Sequence, residues 1–247
     1  MVKLFLAMTS APDKRTHSPK TYADYPPQPA PHPPALRTAS ASRPRQARSA
    51  ELISHILTTA ERVFAESGLA GATMTRLAAA AGLPKANLHY YFGTKERLYT
   101  EVLENILALW LDATDSIQPD SHPHAALSAY IAAKMTLSRQ RPYASKVFAN
   151  EVLHGAIHLR SYLGLALRRK VDEKAAVIEG WIARGVMAET DPRHLFFLLW
   201  AMTQTYADFD IQIAAVLGLP TITPPAYATG EALILQLILR GCGIEPP

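Results

Sequence analysis

With one cysteine in 247 residues, Cys242, the chain can form no intrachain disulfide and can hold no metal cluster built on several thiolates. It contains no run of eighteen apolar residues, so a membrane-spanning helix is not expected. Gly-x-Ser-x-Gly elbows, P-loops and dinucleotide fingerprints are missing as well, and with them the most recognisable enzyme chemistries. The nine histidines do not replace them. His17 and His32 lie in a Pro-rich stretch, while His122, His124, His154, His158 and His194 have no neighbouring carboxylate or thiolate set of metal-site form. The expectation is a protein that is neither an enzyme nor a metal or cofactor carrier.

What the chain does have is unevenly distributed. Its 49% of hydrophobic residues can build a real core, yet residues 1–45 hold nine of the nineteen prolines, including the run PPQPAPHPP. Proline locks φ and removes a backbone donor, so this segment reads as a disordered, basic, Pro-rich tail. The opening MVKLFLAM is followed by polar, Pro-rich sequence without a cleavage pattern, and a cytoplasmic location is expected. Charge falls along the chain, at +5 over residues 1–45, +2 over 46–100 and −3 over 101–247. The front therefore suits a polyanionic partner better than the back does. Arg37, Arg43, Arg45 and Arg48 lead toward the first helix, either as solubilising charges or as an arm that adds phosphate or minor-groove contacts.

From Ala50 to Ser67, Leu52, Ile53, Ile56, Leu57, Ala60, Val63 and Phe64 recur at helical spacing, and Gly68 ends the pattern. A second short helix follows Thr73, whose hydroxyl can cap it. It breaks at Gly82, and Pro84 sits where a new helix can start without its N–H. Two short helices around a Gly-containing turn have the form of a helix-turn-helix, whose second helix enters a DNA major groove. On that second helix Leu88 should face inward, leaving Lys85, Asn87, His89 and Tyr90 for base edges and phosphates. Thr94 can cap a further helix, placing Lys95 near backbone phosphate.

These residues carry a family resemblance. Thr73-Met74-Thr75, then Leu77-Ala78 with Ala81-Gly82, then Leu88, Tyr91, Phe92, Gly93, Thr94, Lys95, Glu96 and Leu98 resemble the DNA-binding domain of the tetracycline-repressor (TetR) family. The resemblance implies an all-α fold, with an amino-terminal three-helix helix-turn-helix domain over residues 46–98. A larger carboxy-terminal helical domain for ligand binding and dimerisation would fill 99–247. It implies DNA contacts from Arg48, Thr73, Thr75, Lys85, Asn87, His89, Tyr90 and Lys95 to a double-stranded operator. Two positions depart from the family pattern. Pro84 replaces a Ser or Thr cap, and His89 stands where a tyrosine commonly follows the leucine.

Beyond residue 98 the periodicity predicts helices at 125–138, 142–154, 159–182, 192–217 and 226–239, with Asp191-Pro192 as a cap and first turn. Leu195, Leu198, Leu199 and Met202, with Leu233, Leu237 and Ile238, offer more apolar surface than one thin layer needs. Such helices could pair with a second copy in a four-helix homodimer seam. His194 to Asp210, NILALWLDA around Trp110 and VDEKAAVIEGWIARG resemble the RutR-like, pyrimidine-utilisation group of the family. That resemblance implies a repressor released by a small-molecule effector such as uracil or thymine. Trp200 would stack on the ring and the Gln204 amide would pair with its edge, with Tyr143, Trp181 and Tyr206 as further pocket candidates. Trp200 is equally spaced for the helical core, and Gln204 for a dimer seam. Two other readings stay open. One is a repressor or activator of efflux or stress genes responding to another apolar ligand, and the other a helical protein-interaction adaptor.

Overall fold

A computed structural model describes residues 43–246, and most of the expected 1–45 tail lies outside that span. Among the described residues every regular element is helical, and none is long and apolar enough to cross a membrane. The first helix, α1 (Arg43–Gly71), begins earlier than the apolar periodicity does, because the segment from Arg43 to Ala50 is polar and leaves no stripe to read. Gly68 breaks it at φ 63°, a left-handed conformation that costs a side-chain-bearing residue free energy.

The next turn is built as the residues suggest. Thr73 accepts a hydrogen bond from the Arg76 amide and caps α2 (Met74–Ala80); Gly82 turns at φ 66°; Pro84 precedes α3 (Lys85–Phe92). Met74, Leu77, Ala78, Leu88 and Phe92 close on Ile56, Ala60, Val63 and Phe64 of α1. Thr94 then caps α4 (Lys95–Asp112), which buries Leu98, Tyr99, Val102, Leu103, Ile106 and Leu107 at three- and four-residue spacing. Since α4 runs unbroken past residue 98, the sequence-based domain boundary falls inside a helix.

A single turn of 3-10 helix leads from α4 to α5 (Pro123–Gln140) and α6 (Pro142–Leu153). The expected helix at 159–182 is composite: a short α7 (Arg160–Tyr162), a wide π-helical turn at Leu163–Leu167, and α8 (Arg168–Ala183). The expected helix at 192–217 is also two, α9 (Pro192–Asp208) and α10 (Asp210–Val216), divided at Phe209. The last, α11, runs Pro224–Gly241.

The buried residues form two clusters. The first joins α1–α4 to Ala144 and Val147 of α6, and the second joins α5, α8, α9 and α11 around Trp181, Tyr130 and Phe196. Polar ties cross between them and the elements around them. Glu61 of α1 and Arg141, between α5 and α6, form a nearly buried pair with Nε donating to Oε2 at 3.0 Å. The Tyr99 hydroxyl of α4 donates to Glu151 of α6 at 3.0 Å, and the His158 amide donates to the same carboxylate at 2.7 Å. Lys146 of α6 holds Asp210 at 2.8 Å, and the Ser138 hydroxyl of α5 donates to the Thr203 carbonyl at 2.9 Å. Thus α4 and α6 both pack on α1, and α6 also packs on α9 in the bundle behind it.

Candidate functional site

The surface of α3 is assembled by what α3 buries. Leu88 and Phe92 are sealed in the first core, which leaves Lys85, His89 and Tyr90 exposed and Asn87 half-buried. Tyr90 is 81% exposed, the kind of aromatic display that solvent alone does not favour. The His89 ring places Nδ1 2.9 Å from the Gly93 carbonyl, so the N–H tautomer donates there and fixes the imidazole against the end of α3. Thr75 and Arg48 are exposed, while Thr73 is occupied as a cap. Arg76 is held by Glu66 and Ser67 and adds little free positive charge.

Lys95 has a partner within the chain that the sequence did not suggest. Its Nζ donates to the Ala72 carbonyl at 3.0 Å, and the side chain is half-buried. The ammonium therefore ties the start of α4 to the segment just before α2, and only its remaining hydrogens are free for a phosphate.

A cleft with a free volume of about 60 Å³, open to solvent on one side, lies between α4, α5, α6, α8 and α9. Leu107, Trp110, Leu111, Phe148, Leu167, Val171 and Phe196 give it apolar walls, with Trp110 edge-on to Phe148 at 4.5 Å between ring centroids. Its polar groups are few: Thr114, Tyr130, Lys134, Lys170, Lys174 and Gln204. An apolar cleft with a handful of directed polar atoms is the usual make-up of a small-molecule site.

Of the five expected ligand residues, the cleft brings together two, Trp200 and Gln204. The indole N–H of Trp200 is already spent, donating to the Tyr130 hydroxyl at 2.9 Å, so Trp200 offers its ring and orients Tyr130. Burial pushes the Tyr130 phenol far above its ordinary range, which keeps it a hydroxyl donor. The Gln204 amide makes no side-chain hydrogen bond among the described residues and remains free to pair.

The other three sit elsewhere. Tyr143, at the start of α6, lies under the Arg62 guanidinium of α1, 5.8 Å from the ring centroid. Trp181 is wholly buried in the second core. Tyr206 packs on Tyr227 and lies directly over Gly230 of α11. All three were expected only as further pocket candidates, and a resemblance in sequence does not say which cavity an aromatic residue of a helical bundle meets. Trp110, Tyr130 and Lys134 were not picked out as cleft residues from the sequence. Lys134 did leave a signal: it interrupts the buried stripe Leu127, Tyr130, Ile131, Met135 and Ser138 of α5, where a charge is costly without a task.

Residues 56–102 match the family model of bacterial regulatory proteins of the tetR family, and residues 103–245 match that of the YcdC-like protein C-terminal region. The HTH-type transcriptional regulator RutR of Escherichia coli (strain K12) is 44% identical over 163 residues, 66% of this chain and 77% of that protein. The HTH-type transcriptional repressor NicS of Pseudomonas putida is 27% identical over 191 residues, 76% of this chain and 90% of that one. Among solved structures, the TetR family transcriptional regulator PfmR from Thermus thermophilus aligns with a TM-score of 0.58 at 22% identity. That alignment covers 78% of this chain and 96% of that one, and is a likeness of fold.

Proposed function

The chain belongs to the TetR family of bacterial regulatory proteins and stands close to RutR within it, and from that premise we propose that it is a repressor whose hold on an operator is released by a planar pyrimidine such as uracil or thymine. The division of labour in this reading is a head over residues 46–98 and an effector and dimer part over 99–247. Two copies present two α3 helices to successive major grooves of a pseudo-palindrome. Lys85, Asn87, His89 and Tyr90 read or grip the groove, while Arg48, Thr75 and Lys95 lie against phosphate.

The observation that carries the ligand assignment is the cleft itself. It joins aromatic faces from Trp110 and Trp200 to an unpaired amide at Gln204. A pyrimidine ring with alternating C=O and N–H edges fits that set, since the amide supplies one donor and one acceptor side by side and Tyr130 adds a hydroxyl donor. The cleft is also lined by α4 through Leu107, Trp110 and Leu111 and by α6 through Phe148, the two helices that pack on the head. A ligand that binds better to one arrangement of those helices shifts the heads toward it, and DNA opposes the ligand to the same extent.

Calorimetric titration with uracil and thymine tests the reading. Gln204→Ala is expected to weaken pyrimidine binding about tenfold or more, the worth of a lost buried hydrogen-bond pair, while leaving dimerisation of the apo protein intact. Unchanged affinity would remove Gln204 and the pyrimidine edge-pairing from the account.

A further inference from the structure

Three lysines and no Asp or Glu line the cleft among the described residues, and two of the three have partners. Lys170 Nζ lies 3.2 Å from Asp115, and Lys174 Nζ donates to the Ile117 carbonyl at 3.0 Å beside Glu173 at 3.1 Å. Lys134 differs from both. It is 2% exposed, has no hydrogen bond or ion pair among the described residues, and carries its Nζ 4.3 Å above the Trp110 ring. The cleft it lines is walled by Trp110 from α4, Phe148 from α6, Lys170 and Lys174 from α8, Trp200 and Gln204 from α9, and Tyr130 on its own helix. The one carboxylate that acts on it is Asp208, at the end of α9, whose carboxyl burial raises and Ser145, Lys134 and Lys146 draw back down, Asp210 opposing them. A buried ammonium held only by a ring face is costly unless something supplies an oxygen.

We infer that Lys134 is the specificity-determining residue of the cleft, reserving its ammonium for an acceptor oxygen on the occupant. The effector is then a planar ring bearing such an oxygen, and among these rings those with more negative charge on the oxygen bind more tightly. The inference rests on the cleft being the effector site and narrows what it accepts. Trp110 and the charge on Lys134 act together, because the ring face steadies the cation from one side while the ligand oxygen takes a charge-assisted hydrogen bond on the other. Burial lowers the Lys134 ammonium to about 7 in the open cleft, with Asp208 pulling it back upward. A ligand oxygen favours the charged form, so uracil binding above that pH should take up a proton.

The test is calorimetry on the full-length protein and Lys134→Met, at pH 8, in two buffers of different ionisation enthalpy. The probes are uracil, 5-fluorouracil, whose N–H ionises more readily, and unsubstituted pyrimidine, which has the ring without the oxygens; benzoate supplies an anionic oxygen on a different ring. For the unsubstituted protein, the expected order is 5-fluorouracil, then uracil, then pyrimidine, with net proton uptake on binding uracil. Lys134→Met should lose ten- to a hundredfold in uracil affinity, flatten the order and abolish the uptake. Its melting temperature should be at or above that of the unsubstituted chain, which separates lost recognition from lost folding. Equal uracil affinity and equal proton uptake in the two proteins would overturn the inference. So would equal binding of rings with and without oxygen, although the cleft would still be a ligand site. Binding of benzoate, but of neither uracil nor 5-fluorouracil, in a Lys134-dependent manner would support Lys134 and discard the pyrimidine. Failure of every ring to bind would overturn both.

Discussion

Glu61 is almost sealed from water on α1, and the guanidinium that pairs with it comes from Arg141, eighty residues on at the α5–α6 junction. Burial raises its carboxyl, while Arg141 draws it back down. Removing the guanidinium leaves the carboxylate buried and alone, so Arg141→Ala should destabilise the protein by about 3–5 kcal/mol in urea unfolding at neutral pH. Because the folded-state carboxyl then titrates above its unfolded value, protonation relieves the cost; the deficit should be smaller at pH 5 than at pH 8. Equal deficits at both would mean the pair is not the source. Lys134 makes the opposite kind of statement. Its folded-state value near 7 lies below the unfolded 10.5, so folding binds fewer protons between those limits and stability rises with pH across them. Lys134→Met should gain stability over the unsubstituted chain on the order of a few kcal/mol at pH 6, and less at pH 9. A gain independent of pH would mean that Lys134 is not carried as a buried charge.

Among the helices, Gly230 decides how closely α9 and α11 approach. A methyl added there would overlap the Tyr206 side chain, so the two helices pack with a ring in place of a Cβ. Gly230→Ala is expected to cost about 1–3 kcal/mol by displacing Tyr206 from Tyr227, seen as a lower melting temperature; an unchanged value would show that the ring moves freely. Element boundaries with local causes were legible in the sequence. Thr73, Thr94 and Asp191 cap where their hydroxyls and carboxylate predict, and Gly68 and Gly82 turn where only glycine is comfortable. Boundaries with distant causes were not. The apolar pattern continues through Phe209, yet the helix divides there, where Asp210 is held by Lys146 of α6. Nor does periodicity foretell the wide turn at Leu163–Leu167, which brings Leu167 onto the cleft wall. In the same way Trp200 and Gln204 of the expected pocket residues line the cleft while Tyr143, Trp181 and Tyr206 do not, because a shared cavity is set by contacts between helices and not by local sequence.

Over the whole molecule, α4 and α6 each line the cleft and pack on α1, so in the proposed function they are the helices through which a ligand would act on the head. Phe197 and Leu198 of α9 and Leu233 and Leu237 of α11 are each about half exposed, an apolar surface suited to the same helices of a second copy. Leu233→Glu with Leu237→Glu should sediment as a monomer and lose cooperative duplex binding; a persistent dimer would place the seam elsewhere. What most needs testing is that DNA and pyrimidine oppose one another through one protein. Fluorescence anisotropy of the purified protein on the duplex flanking its own gene, at fixed salt with and without uracil or thymine, reads that opposition directly. Specific binding that weakens as either base is added is the result the proposed coupling predicts. Specific binding indifferent to both bases would contradict it.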